Sequence, residues 1–280
     1  MKLALGTAQF GLDYGVTNND GKVPLKIVGE ILEFAQLNGI RVIDTAIAYG
    51  NSEQVLGNFD LSSFSVVSKI PSLSRASQSI ESMVSGSLER LRIGSLYGLL
   101  FHCEDDVVHP AYVHQLKELK EGGVIQKVGA SFYCPNKALE AINTEQVDII
   151  QVPANQLDQR FEKAGVFQAA KEFGVEVHIR SLFLQGLLAV KNNRRPTKFQ
   201  EHKDLLRYDV YREMHDLLPI ALALEYLLSR TQVSFGVIGC ANVRQLTEII
   251  NIYNELSVSE RRQTFDLSSD DEHLLNPSTW

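Results

Sequence analysis

Short apolar runs recur along this chain, each following an amphipathic stretch that stops at glycine. EFAQLNG leads into IRVID, ending at Asp44, and SLERLRIG leads into SLYGLLFH, ending at His102. KELKEGG precedes VIQKVGAS, which ends at Ser131, and KEFG precedes VEVHIRS, which ends at Ser181. Glycine just past a helix adopts the left-handed conformation that other residues resist, so each predicts a helix stop. The runs that follow are rich in Val, Ile and Leu, as expected of strands buried on both faces. One such junction has bland explanations; the same junction repeated in register does not.

FSVVSK (64–69), VDIIQV (147–152) and SFGVIG (234–239) fit the same spacing, and LALG (3–6) brings the strands, RVID (41–44) already among them, to eight. Helices are expected near 25–38, 51–57, 75–92, 110–121, 136–143, 161–173, 214–229 and 242–254. Strand and helix alternate without an antiparallel section, which predicts a parallel sheet. Eight units favour closure into a single (β/α)8 TIM barrel, whose usual size is about 250 residues. No linker divides the 280 residues, so 1–280 reads as one domain. The longest irregular stretch, about 184–212, follows the seventh strand and is too long for a simple connector. Residues 256–280 are expected to form short helices or a tail against the barrel.

Composition narrows the partners. A 44% hydrophobic content fills a large core, and a net charge of −7 carries no long one-sign block. That balance argues against nucleic acid or an anionic membrane as the main partner. Cys103, Cys134 and Cys240 are scattered, which suits reduced thiols in a cytosol rather than disulfides or a zinc site. Gln9 and Asp13 interrupt the first residues before a signal peptide's apolar length is reached. No run approaches the ~18 apolar residues of a spanning helix. The expectation is a soluble cytoplasmic protein acting on a small molecule, its oligomeric state open.

Barrel enzymes place their sites at the carboxyl ends of the strands. Those positions here are Asp44, Lys69, His102, Ser131, Gln151, Arg180 and Gly239, with Tyr49 in the loop beyond Asp44. Taken singly, each has a plain reading: a helix cap for Asp44, a solvated amine for Lys69, a core imidazole for His102, packing for Tyr49. Their convergence on one rim favours chemistry. A phenol titrates near pH ~10, and a neighbouring ammonium lowers that value. A carboxylate keeps the ammonium charged, while an imidazole hydrogen-bonds a substrate oxygen or helps pass its proton. Such a set protonates a carbonyl oxygen while a nucleophile that these residues do not identify attacks the carbon.

IDTAIAYGNSEQVLG resembles the signature of the aldo-keto reductases, FSVVSK their lysine strand and LLFH their histidine strand. LGTAQFG, QVPANQLD and VIGCANVRQLTEI are also similar to that family's segments, so the resemblance runs from about residue 3 to 255. It implies metal-free hydride transfer from a nicotinamide cofactor to an aldehyde or ketone. Tyr49 would be the general acid, Lys69 would depress its pKa, Asp44 would pair with Lys69, and His102 would position the carbonyl. Ser131 and Gln151 would bind the nicotinamide carboxamide. Gly6, Thr7 and Asp44, with Arg180, Ser181 and Leu182 at the end of strand seven and after it, join the cofactor set. Gly239, Arg244, Gln245 and Glu248 would surround the adenosine half. The plain alternatives are a strand-end polar group for Gln151 and a solvated helix residue for Glu248.

Departures from the family pattern matter. Arg180 stands where an aromatic residue often stacks on the nicotinamide; a planar guanidinium can stack too, but its charge would disfavour the oxidised ring. Phe132 replaces an asparagine, and Cys-Glu-Asp follows His102 where Pro-Asp is common. Ala241 and Gln245 occupy places where basic residues commonly grip a 2′-phosphate. Arg244 is the nearest cation, so NADP is favoured and NAD stays open. KNNRRPTK (191–198) carries four positive charges and no acid. It reads as a solvated loop, as a site where Arg194 or Arg195 meets the pyrophosphate, or as an attractor for an acidic or phosphorylated sugar. Two other functions remain: a slow nucleotide-binding regulatory module, as the potassium-channel β subunits resemble this family, or a Schiff-base lyase using Lys69.

Overall fold

The structure is a computed structural model describing residues 1–75, 77–259 and 266–280. Ala76, inside the expected helix 75–92, and residues 260–265, inside the expected tail, lie outside the described residues. Eight strands form: β1 Leu3–Gly6, β2 Val42–Asp44, β3 Ser65–Ile70, β4 Leu96–Phe101, β5 Ile125–Ser131, β6 Ile149–Pro153, β7 Glu176–Arg180 and β8 Val233–Ile238. Each pairs parallel with the next, and β8 returns to β1, with Leu5 opposite Ile238. The barrel is closed.

Closure leaves each strand two apolar faces. Val66 and Leu99 point outward into the large core under the helices, whereas Val67 and Leu100 join Ala4, Val42 and Ile149 inside the barrel. Successive side chains alternate faces, so the residue two positions further along a strand faces the same way. Two residues beyond Ala4, Val42, Val67, Leu100 and Ile149 stand Gly6, Asp44, Lys69, His102 and Gln151. The apolar interior therefore carries a polar layer on its carboxyl end. This is what positions the site.

The helix stops are made as expected at Gly39, Gly123 and Gly174, all with positive φ. At the junction before β4 the left-handed residue is Arg92 (φ 55), not Gly94. Several helix expectations change. The segment 75–92 is a 3-10 turn at Leu73–Arg75 and a helix from Ile80, capped where the Ser79 hydroxyl accepts from the Ser82 N–H. The segment 161–173 is split by Gly165 (φ 81) into Arg160–Lys163 and Val166–Glu172. The segment 214–229 starts only at Pro219, and Met214 closes a separate helix, Lys203–Met214, inside the stretch read as irregular. Leu267, Leu274 and Leu275 are buried, which docks the carboxyl-terminal segment on the barrel. No helix among the described residues is long and apolar enough to cross a membrane.

Candidate active site

Tyr49 is presented by a tight loop between β2 and the helix Ser52–Leu56. Its N–H donates to the Ala46 carbonyl, and its own carbonyl accepts from Ser52. Gly11 and Gly50 meet backbone to backbone beneath this loop; a Cβ on Gly11 would overlap the Tyr49 carbonyl, and one on Gly50 (φ +56) the Gly11 carbonyl. Glu53 pins the helix from below, accepting from the hydroxyls of Ser68 (2.7 Å) and Ser87 (2.6 Å) and pairing with Arg90. A buried hydroxyl knot ties β1 to β2, for Thr7 donates to the Asp44 carbonyl and Ser52 to Thr7 Oγ1. Thr7 lines the cavity, yet its hydroxyl serves the framework.

Lys69 is 1% exposed, with Nζ 2.7 Å from Asp44 Oδ1 and 2.9 Å from the Thr45 carbonyl. Its ammonium lies 5.1 Å from the centroid of the Tyr49 ring, and His102 meets that ring edge-on at 5.8 Å. The second Asp44 oxygen accepts from Gln151 Nε2 at 2.6 Å. Asp44 thus orients both a cation and an amide. Burial pulls the Lys69 ammonium down while Asp44 holds it up.

The electrostatics set the phenol apart from its ordinary value. Burial first, and the Asp44 carboxylate second, push the Tyr49 phenol well above its ordinary value instead of below it. The charge of Arg180 pulls the other way without reversing the shift. These surroundings favour the protonated phenol over the phenolate. His102 is pushed down to about 4, by burial and then by Lys69 and Arg180, which leaves a neutral imidazole.

A cavity of about 960 Å³ opens over this layer. Asp44, Tyr49 and His102 line it, while Lys69 lies beneath its wall. Gly6, Thr7, Ser131, Gln151, Arg180 and Gly239 form its floor at the strand ends, and Ser181, Leu182, Arg244, Gln245 and Glu248 also border it. Gln245 is partly committed, because Gln245 Oε1 accepts from the Ala241 N–H while Asn242 Oδ1 caps the Gln245 N–H. Asn242 is thus the N-cap of the helix Val243–Val258, and the Gln245 side chain reaches back to the residue before that cap. Arg195 departs from the role considered for it. It is 2% exposed, grips Asp209 through both terminal nitrogens (2.6 and 2.9 Å) and donates Nε to the Leu187 carbonyl. Arg194 lines the cavity instead.

Two aromatic residues were not anticipated. Tyr14 and Tyr133 line the cavity, from the loops after β1 and β5. The Tyr14 phenol is pushed up to about 12 by burial and then by Tyr49. Phe132, beside Tyr133, turns into the core and is fully buried. Loops following strand ends are where barrels build sites, and that was the available signal.

Among the described residues, Gln151 Oε1 is buried without a hydrogen-bond partner. A buried acceptor left open costs about 1–3 kcal/mol unless something donates to it. The amide of a nicotinamide carboxamide is such a donor, so the floor fits that group.

The molecule is a closed parallel α/β barrel with Tyr49, Lys69, Asp44 and His102 gathered at the carboxyl ends of its strands, the end at which such barrels carry their sites. The sequence profile of the aldo/keto reductase family matches residues 2–266, and the chain belongs to that family. The family's general chemistry, NAD(P)H-dependent oxidoreduction of carbonyl compounds, is thereby this chain's class of activity. Among solved structures it is similar to the aldo-keto reductase AKR11C1 from Bacillus halodurans in its holo form. There identity is 22%, coverage is 94% of this chain and 88% of that one, and the TM-score is 0.73. A protein from Pseudomonas aeruginosa, provisionally assigned as an aldo-keto reductase, shares 21% identity over 91% of this chain and 90% of its own, with TM-score 0.70. These likenesses establish the shared fold. No curated protein sequence matches the chain.

Proposed function

We propose that this protein reduces an aldehyde or ketone with a nicotinamide cofactor, NADP in preference to NAD, and that Tyr49 donates the proton. The carrying observation is geometric: Tyr49, the Lys69–Asp44 pair and His102 converge at the floor of one cavity of about 960 Å³, and the surroundings of Tyr49 favour its protonated form. When bound, a reduced nicotinamide supplies the hydride. Ser131 and the open Gln151 Oε1 would hold its carboxamide, with Arg244 toward a 2′-phosphate at the far rim. His102 and Tyr49 together hold the substrate oxygen. As that oxygen gains charge it becomes an alkoxide, far more basic than a phenolate, and takes the Tyr49 proton. The Lys69 ammonium, kept in place by Asp44, then stabilises the phenolate left behind.

The lyase alternative needs an accessible amine. Lys69 Nζ is enclosed by Asp44 and Thr45 and borders no part of the cavity. Tyr49→Phe is expected to lower kcat by about 10²–10⁴-fold, the usual worth of a positioned proton donor. NADPH binding, followed by fluorescence titration beside NADH, should change little, because the hydroxyl acts in the transition state. A variant with native turnover would remove Tyr49 from the mechanism. Turnover barely above background in the native protein, with tight NADPH binding, would favour the regulatory module.

A further inference from the structure

Several arginines of the framework face carboxylates: Arg160 pairs with Asp158, Arg195 and Arg212 with Asp209, and Arg230 with Glu162. Arg180 has no such partner among the described residues. It ends β7 and lines the same cavity as Tyr49 and His102. Its contacts are all neutral: Nε donates to Ser131 Oγ at 3.3 Å, Nη2 donates to the Phe132 carbonyl at 3.3 Å, and Cζ rests 4.1 Å from the Tyr133 ring centroid. These contacts fix the plane and aim of the guanidinium. They leave Nη1 and the second Nη2 hydrogen unengaged, an edge whose fork matches a carboxylate. Lys69 offers no such edge, since Asp44 already neutralises it.

A positioned cation, half-buried and unpaired, sits beside the proton donor. Its charge reaches Tyr49, His102 and Tyr14, lowering all three. A charge removed from water without a counter-ion is unfavourable, and an arriving anion recovers that cost. An aromatic ring or an uncharged amide would have served a neutral substrate without it.

We propose that Arg180 receives a substrate carboxylate a few bonds from the carbonyl that Tyr49 protonates, which makes oxo acids the preferred substrates. This rests on the reductase reading above. Hydride from the reduced nicotinamide adds to the carbonyl carbon, and the Tyr49 proton goes to its oxygen. The products are a hydroxy acid and the oxidised cofactor, and Tyr49 recovers a proton from solvent. Arg180 is unchanged throughout and sets which molecule is held.

The test compares phenylglyoxylate with its methyl ester, one shape with and without the charge. The native protein should favour the acid in kcat/KM by roughly tenfold or more, an advantage of about 1.4 kcal/mol or greater. In Arg180→Gln that ratio should fall to one or below, and Arg180→Lys, which keeps charge but loses the fork, should recover part of it. A ratio is indifferent to a general loss of folded protein. Equal use of acid and ester by the native protein would overturn the inference and leave the reductase reading standing. So would an unchanged ratio in Arg180→Gln. If neither compound is reduced, the reductase reading fails, and calorimetric titration with the non-reducible carboxylate oxamate decides the anion site. Binding that vanishes in Arg180→Gln supports it; no binding to the native protein overturns it.

Discussion

His102 shows how much of the site is decided by surroundings. Lys69 and Arg180 repel an imidazolium, Asp44 attracts one, and the Tyr49 ring stands edge-on at 5.8 Å. With burial the leading cause, the imidazole falls from 6.5 to about 4. The sign of the consequence follows from which state takes the proton. Between pH 6.5 and 4 the unfolded chain binds a proton that the folded protein refuses, so stability falls as pH falls through that window. The loss is at most about 3 kcal/mol. Catalysis should be silent there, because His102 stays neutral above about pH 5. We therefore expect no break in kcat near pH 6.5. NMR titration of the ring, compared with denaturant midpoints of the native protein and His102→Gln, checks both statements. A kinetic break near 6.5 that disappears in His102→Gln would show an imidazole titrating as though exposed.

At the scale of elements, two glycines separate stability from chemistry. Gly39 (φ +82) stops the helix before β2 and has open space where a Cβ would go. Gly39→Ala costs only the strain of a left-handed residue, about 1–2 kcal/mol, at the far end of the strand from the site. Gly11 is different, because its added Cβ would meet the Tyr49 carbonyl and the Ser52 N–H. Gly11→Ala must push away the loop that carries Tyr49. Misplacing a reacting group by about 1 Å can cost about 10²-fold in rate. Gly11→Ala is therefore expected to lose kcat by about that factor, and Gly39→Ala to lose thermal stability with kcat intact. Equal kcat in the two variants would show that the glycine contact does not position the phenol.

The eight strands were legible because a parallel strand buried on both faces is written as an apolar run, and because glycine ends most of the helices between them. The helix Lys203–Met214 was not legible, and its burial explains why. Its inward face carries Asp204, Asp209 and Arg212 beside Leu205 and Tyr208, while Leu206 and Val210 face out. Ion pairing with Arg195, made inside the fold, replaces the apolar stripe that sequence periodicity detects. Pro219, well placed as the first residue of the following helix, was the signal that 214–229 is not one element. In the site, strand ends located Asp44, Lys69 and His102, since position along a strand sets depth in the barrel. Tyr14, Tyr133 and the buried fate of Arg195 depend on loop paths, which no local pattern records. The sense of the Tyr49 shift also escaped the sequence, because it turns first on how the fold encloses the phenol and then on the Asp44 carboxylate beside it.

Across the whole molecule, the barrel separates a reacting end from a bracing end, and β7 spans both. Arg180 closes its carboxyl end, and Glu176 opens the other. Glu176 accepts from the Tyr97 hydroxyl at 2.7 Å, pairs with Lys127, and meets His178 Nε2 at 3.1 Å. Burial raises this carboxyl, but the hydrogen bonds from His178, Lys127 and Tyr97 outweigh it and hold Glu176 down at about 2. A depressed carboxylate stabilises the fold above its unfolded value near 4.5, and that stability drains away as pH falls toward 2. Its size is about 3 kcal/mol at most. Glu176→Gln should therefore lower Tm by several degrees at pH 7, where a kcal/mol is worth about 2–4 °C in a domain of this size. The same substitution should flatten the acid limb of the stability curve, because the group that titrates there is gone. kcat per folded molecule should stay native, since the layer between Glu176 and the site is filled by Ala4, Val42, Val67, Leu100 and Ile149. A fall in kcat matching the fall in Tm would mean that the apolar layer transmits strain along β7, and that the two ends of the barrel are one mechanical unit.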